Sequence, residues 1–196
     1  MCGISGLFGN ADSSITAAMA SCISHRGPDG ISSFSEHIDG GSVALSHSRL
    51  SIIDLSGSKQ PILSDNSSVL VQNGEIYNYK NIKSEISNFP WRTNGDAEVI
   101  LALHDKYNLN PNIPNSVPIG KLNNIIRHTP NYSDINNPAS KHNIWVSKLD
   151  GVFGFSIWNP LKRELILARD PMGVKPLFRT ILRDGSLMFA SEIKAF

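Results

Sequence analysis

A cysteine stands directly behind the initiator methionine, and the run Cys2-Gly3-Ile4-Ser5-Gly6-Leu7-Phe8 constrains this chain more than any other stretch. Initiator methionine is generally removed when the next side chain is small, so the mature chain is expected to begin at Cys2. One residue would then carry both a thiol and a free α-amine. The thiolate is the nucleophilic form of a cysteine, whose free pKa is about 8.5. An α-amine titrates at about 7.7–8.0 and so supplies neutral base close to neutral pH. A nucleophile that uses an N-terminal amine as its own base is an established catalytic arrangement. The competing reading is a small apolar residue opening a strand, and the dipeptide alone favours it. Residues 2–8 read as a strand, with small residues where another backbone or a ligand comes close.

The 196 residues suit one domain, with room for an insertion, and can bury a sizeable core. A net charge of +1 argues against a nucleic-acid partner. No apolar run approaches the length of a membrane span, and no basic stretch followed by an apolar one marks a secretory signal. The two cysteines, Cys2 and Cys22, are too few for a disulfide framework, and bonding Cys2 would abolish its chemistry. A reducing compartment, the cytoplasm, is the simpler inference.

Asp12-Ser13 can cap a helix whose apolar positions Ile15, Met19, Cys22 and Ile23 recur at helical spacing, which makes Cys22 a core residue. His25-Arg26-Gly27-Pro28-Asp29-Gly30 ends that helix with turn chemistry. Val43 to Ile53 is strand-like, and Val69-Leu70-Val71-Gln72 is a short strand ending at Asn73-Gly74. Tyr77 to Ile86 reads as an amphipathic helix, and Ala97 to Tyr107 as another, capped by the Asn94 to Asp96 turn. Residues 108–148 hold ten asparagines and five prolines, offer little to bury and resist regular structure. They are expected to form a mobile surface insertion, with at most one short helix near Leu122 to Arg127. Order resumes at Val152 to Trp158, turns at Asn159 to Arg163, and continues through three further short strands. Hairpins at both ends with two helices between predict α+β layers around mostly antiparallel sheets.

Four patches could serve one reaction with Cys2. Arg49 ends a strand, where a guanidinium suits a bidentate grip on a carboxylate or a surface ion pair. Asn73-Gly74-Glu75 offers a side-chain amide and a backbone N–H as an oxyanion pair, although Asn-Gly is also the strongest short hairpin signal. Asp96 could hold an ammonium group or cap the helix behind it. Arg26 and Asp29 favour an ion pair bracing their turn over substrate contacts.

Each patch is weak alone, but their order is specific. Met-Cys-Gly-Ile-Ser-Gly at 1–6, His-Arg-Gly-Pro-Asp-Gly at 25–30, Arg-Leu-Ser-Ile-Ile-Asp-Leu at 49–55, Gln-Pro-Ile-Leu at 60–63 and Asn-Gly-Glu-Ile-Tyr-Asn-Tyr at 73–79 occur in sequence. Gly-Asp-Ala-Glu-Val-Ile at 95–100, Leu-Asp-Gly-Val-Phe-Gly-Phe at 149–155, Ala-Arg-Asp-Pro-Met-Gly-Val-Lys-Pro-Leu-Phe at 168–178 and Ala-Ser-Glu-Ile-Lys-Ala at 190–195 follow. Together they resemble the glutaminase domain of class II glutamine amidotransferases, and specifically that of the glutamine-hydrolysing asparagine synthetases. The likeness covers the chain except the 108–148 stretch, which is unusual for the family.

That resemblance implies an N-terminal nucleophile hydrolase fold, a four-layer αββα sandwich with mostly antiparallel sheets. It implies that Cys2 attacks the side-chain amide of glutamine while its α-amine manages the proton. Asn73 and Gly74 would stabilise the oxyanion. Arg49 would bind the α-carboxylate and Asp96 the α-amine, with Leu50, Ser51, Ile52, Ile53 and Glu75 completing the pocket. A Cys2 thioester would be hydrolysed to glutamate, and the ammonia released would serve asparagine synthesis from aspartate. The glutaminase step would need no cofactor and no metal. ATP and Mg are expected only on a C-terminal synthetase domain, whose Ser-Gly-Gly-x-Asp pyrophosphate loop does not occur in these 196 residues. The expected partners are L-glutamine and a synthetase domain or subunit receiving the ammonia, with no nucleic acid or membrane and with a homodimer allowed. Two alternatives stay open: a stand-alone glutaminase subunit serving another synthetase, and a catalytically silent interaction domain.

Overall fold

Gly3–Gly9 forms strand β1, and its side chains alternate between two buried faces. The computed structural model describes residues 1–51, 57–109, 125–128 and 145–196. Strands β2 (Ile31–Ile38), β3 (Gly41–Ser48), β9 (Phe178–Ile181) and β10 (Leu187–Ala190) join β1 in one antiparallel sheet. Its order is β2-β3-β1-β10-β9, so the strand that follows Cys2 is central. A second antiparallel sheet contains β4 (Ile62–Leu63), β5 (Val69–Ile76), β6 (Ile125–His128), β7 (Gly151–Asn159) and β8 (Glu164–Arg169), ordered β4-β5-β7-β8-β6.

Three apolar clusters separate four layers, the sandwich that the resemblance implies. Ile4 and Phe8 of β1 meet Val71 of β5 and Trp158 of β7 between the sheets. Leu7, on the other face of β1, packs with Met19 and Ile23 against helix α1 (Ser13–Cys22). On the far side, α2 (Tyr79–Glu85) and α3 (Glu98–Leu109) cover Phe153 and Phe155 of β7 with Ile82 and Ile100. The period-2 pattern of the strands thus supplies two separate interfaces from each sheet.

Several expectations need correcting. Cys22 is exposed rather than core, and Ile15 is 42% exposed. The buried face of α1 is Thr16, Met19, Ala20 and Ile23, an i, i+4, i+7 row one step round from the row anticipated. Strand β5 does not stop at Asn73-Gly74 but runs on to Ile76, paired throughout with β7, so no hairpin forms there. Strand β2 has no counterpart in the sequence reading, because its serines, Glu36 and His37 interrupt the apolar pattern and only Phe34 and Ile38 pack, half-buried, against the core between the sheets. It is an edge strand held by its ladder to β3. The short helix anticipated near Leu122 to Arg127 is not found at 125–128, which pair as strand β6 with β8. Trp145 and Val146 are fully buried, so the polar insertion gives way to core before 148. The rest of that insertion, 110–124 and 129–144, lies outside the described residues, as do Ile52 and Ile53.

Candidate active site

Cys2 stands immediately before central strand β1, and the pairing of Gly3 with Ser48 sets it beside Arg49, the first residue past β3. The Leu50 N–H donates to Cys2 Sγ at 3.4 Å, and Sγ lies 3.5 Å from the Leu50 carbonyl oxygen. Met1 lies over the same pocket, half exposed, and Lys175 Nζ donates to its sulfur at 3.3 Å. Lys175 is brought there by Asp170, a buried carboxylate that accepts the backbone N–H groups of Phe153, Val174 and Lys175.

The 25–30 turn clamps the other side of Cys2. A Cβ on Gly27 would come within 2.2 Å of the Ser48 carbonyl oxygen, so only glycine lets the turn close on the end of β3. Asp29 N–H donates to Arg49 O, Arg49 N–H donates to Gly30 O, and Asp29 Oδ2 accepts from Ser51 N–H at 2.7 Å. These bonds fix the 49–51 backbone along the pocket. The ion pair anticipated for the turn has a different partner: Arg26 Nη1 donates to Glu192 at 2.8 Å, while Arg26 Nε donates to the Cys2 carbonyl at 2.9 Å.

Asn73 is buried on β5, facing Cys2 across the gap between the sheets. Its carboxamide orientation follows from its neighbours. With Nδ2 toward Cys2 it donates to the Cys2 carbonyl at 2.9 Å, and its Oδ1 accepts from Arg26 Nη2 at 3.3 Å. The opposite orientation would set oxygen against oxygen and nitrogen against nitrogen. Nδ2 has a second N–H, so one donor is spent on the Cys2 carbonyl and one is left for a ligand. Gly74 also lines the pocket, and a Cβ there would come within 2.3 Å of the Val152 carbonyl of β7. The pairing that holds β5 to β7 therefore excludes any larger residue. Glu75 is exposed at the rim.

Asp96 reaches the pocket from the turn before α3. Its Oδ2 accepts from Ile76 N–H at 2.7 Å, a bond that ties the turn to β5. Burial pushes the Asp96 carboxyl above its ordinary range, against the hydrogen bonds from Ile76 and Gln72 that favour its ionised form. The turn itself is held by buried Glu98, whose carboxylate accepts from the Arg92 and Thr93 N–H groups and from the Thr93 hydroxyl.

Cys2, Arg49, Leu50, Ser51, Asn73, Gly74, Glu75 and Asp96 thus line one pocket, gathered from four separate segments of the chain. His47, Gln60, Gln72 and Lys175 line it too, without a role in the sequence reading. Gln60 accepts the Gln72 N–H at 2.5 Å and so ties the loop before β4 to β5. Gln60 and Lys175 fall in motifs already singled out, whereas a histidine facing inward on a strand carries no signal of its own. Among the described residues no group of three or more His, Cys, Asp or Glu could hold a metal ion, and no helix is long and apolar enough to cross a membrane.

His47 makes a pH prediction. Burial first, and the Arg49 charge in addition, push its imidazole from 6.5 down to about 4, against the Gln72 backbone contact. Between those values the unfolded chain binds the extra proton, so the stability present above pH 6.5 is lost as pH falls toward 4. The loss by pH 4.5 is about 2–3 kcal/mol. Asp96, with its raised carboxyl, works in the opposite sense and offsets part of it. Urea titrations at pH 7 and 4.5 should show a larger acid loss for the wild type than for His47→Gln. Equal losses would remove His47 from the acid limb.

Sequence models of the glutamine amidotransferase domain match residues 1–110 and 132–196. The chain is 35% identical over 203 residues to asparagine synthetase [glutamine-hydrolyzing] 2 of Bacillus subtilis, covering all of this chain and 22% of that protein. It is 30% identical over 203 residues to asparagine synthetase [glutamine-hydrolyzing] 2 of Oryza sativa subsp. japonica, covering all of this chain and 28% of that one. The chain therefore spans between a fifth and a third of the length of these relatives. Among solved structures, the glutamine phosphoribosylpyrophosphate amidotransferase of B. subtilis superposes with a TM-score of 0.65 at 20% identity, over all of this chain and 43% of that one. A structure described as the allosteric regulatory enzyme of purine biosynthesis superposes at 0.69 and 21% identity, with the same coverage. At such identities the structural likeness speaks for the fold.

Proposed function

This chain belongs to the glutamine amidotransferase domain family, and from that premise we propose that it hydrolyses L-glutamine to glutamate and ammonia at Cys2, supplying ammonia for asparagine synthesis from aspartate. The observation that carries the reading is the convergence of Cys2, Arg49, Asn73, Gly74 and Asp96 on one pocket. Arg49 takes the α-carboxylate of glutamine and Asp96 its ammonium, which leaves the side-chain amide at the sulfur. The neutral α-amine of Cys2 accepts the thiol proton as sulfur bonds to the amide carbon. The oxyanion that forms is met by the second Asn73 N–H and the Gly74 N–H. Collapse breaks the C–N bond, and the leaving nitrogen takes the proton back and departs as ammonia. Water then adds to the thioester with the amine again as base, giving glutamate and the free thiol. This chain's own residues suffice for those steps. ATP and Mg belong, in this reading, to the synthetase domain or subunit that consumes the ammonia. A reducing, cytoplasmic setting suits a reaction that needs Cys2 as a thiol. A silent interaction domain would have no use for this convergence.

The test is steady-state release of ammonia and glutamate from L-glutamine by protein that begins at Cys2. Turnover is expected, with Arg49→Lys raising KM about tenfold or more, because lysine keeps the charge and loses the planar fork. A folded protein with an alkylatable Cys2 and no turnover would overturn the reading. Coupling to asparagine formation is checked by adding a glutaminase-inactive synthetase with ATP and aspartate. Light scattering tests for a homodimer.

A further inference from the structure

Arg26 is 8% exposed in its side chain and uses all three guanidinium nitrogens. Nε goes to the nucleophile's carbonyl, Nη2 to Asn73 Oδ1, and Nη1 to Glu192. One planar group therefore ties the nucleophile and the amide donor to a carboxylate 166 positions further along the chain than the arginine. Glu192 is itself well placed to hold that plane. Ser191, beside it, fastens the exit of β10 to β1: its N–H donates to Ile4 O at 2.8 Å, and its hydroxyl accepts from Ile4 N–H at 3.0 Å. His25 Nε2 and Lys194 Nζ also lie on the Glu192 carboxylate, at 3.0 and 3.3 Å. The Arg26 bond first, and those from Lys194 and His25 after it, hold its carboxyl at about 2, so it is ionised whenever the enzyme works.

We propose that Glu192 is a positioning residue for the oxyanion hole, acting through the Arg26 guanidinium on the Asn73 carboxamide. This rests on the reading of the pocket as a glutaminase site. An amide side chain can present either its oxygen or its nitrogen to the reacting centre, and the two choices have opposite effects on a developing oxyanion. The Arg26 N–H on Asn73 Oδ1, together with the Cys2 carbonyl on Nδ2, selects the productive choice. Glu192 fixes the rotation of the guanidinium that makes that contact. Without it, a nearly buried arginine loses its carboxylate and can turn toward solvent, and Asn73 keeps only the Cys2 carbonyl of the two partners that decide its orientation. Glu192 touches neither Arg49 nor Asp96 among the hydrogen bonds described, so its influence falls on the transition state and not on the grip on glutamine.

The experiment is a mutant cycle in the full chain begun at Cys2, with ammonia release as the readout. Glu192→Ala should lower kcat about tenfold or more, short of the roughly 10²–10³ expected for removing the donor itself, with KM within about twofold. Glu192→Gln, which keeps the shape and one neutral acceptor, should recover part of the loss, and it carries the test if the alanine variant does not fold. In an Asn73→Ala background the Glu192 substitution should cost less than about threefold, because the group it positions is gone. Equal losses in both backgrounds, or a rise in KM at constant kcat, would overturn the proposal while leaving the glutaminase reading intact. No turnover by the wild type would overturn both.

Discussion

Protein that retains Met1 is expected to hydrolyse glutamine about 10²–10⁴-fold more slowly than protein that begins at Cys2. With Met1 in place the nitrogen of Cys2 is an amide, whose lone pair is delocalised into the carbonyl and cannot accept the thiol proton. The loss is that of a general base in the transition state. There is also a steric part. Met1 lines the pocket and its sulfur takes up Lys175 Nζ, so the same residue occupies space beside the nucleophile. Two preparations test this, one released at Cys2 from a cleavable leader and one ending in Met1-Cys2, each verified by intact mass and matched in thermal melting. Equal rates would end the terminal-amine mechanism and require another base. His47 would not serve as a ready substitute at neutral pH, because a base pushed down to about 4 is weak.

The parts of this site visible in the sequence were those that act through local chemistry. Cys2 announces itself by its position, and Arg49, Asn73-Gly74 and Asp96 each carry a residue type whose use in a carboxylate grip, an oxyanion pair or an ammonium contact can be argued without coordinates. Their ambiguity was real, since Asn-Gly could have been a hairpin. The pairing of β5 with β7 through Ile76, a long-range ladder that local propensity cannot report, rules out that hairpin. Glu192 marks the opposite limit. Nothing near Ser191-Glu192-Ile193 says that its carboxylate meets an arginine in the 25–30 turn, because β10 comes to lie against β1 only in the finished sheet. The fold divides in the same way. Apolar alternation marked β1, β5, β7 and β8, whose faces are buried on both sides, whereas β2 is mostly polar, with Phe34 and Ile38 alone reaching the core and its ladder to β3 setting its place. In α1 the helix itself was visible but its buried face was misjudged, since small Thr16 and Ala20 pack closest while Ile15 and Cys22 stay outside.

The second large effect separates the oxyanion hole from the substrate grip. Asn73→Ala should lower kcat by about 10²–10³ with little change in KM, because the second Nδ2 N–H gains most of its value as charge develops on the amide oxygen. The first N–H, on the Cys2 carbonyl, adds a contribution of its own by holding the nucleophile's backbone. Asp96→Asn should do the reverse and act on KM. Asparagine can still accept the Ile76 N–H, so the turn should survive. What it loses is the negative charge facing an ammonium in a site shielded from water, which should cost about 2–4 kcal/mol in kcat/KM. The raised carboxyl of Asp96 sharpens the prediction. As pH falls through that raised value, Asp96 takes up a proton and the wild-type KM should climb, whereas the KM of Asp96→Asn should stay flat over the same range. Steady-state ammonia release by the two variants and the wild type, measured across the acid limb with folding checked at each pH, reads both effects at once. If Asn73→Ala raised only KM and Asp96→Asn lowered only kcat, the two sides of the pocket would have to exchange roles. Cys2 would then attack glutamine from the opposite face, which the Leu50 N–H on its sulfur and the Arg26 contact on its carbonyl leave it little freedom to do.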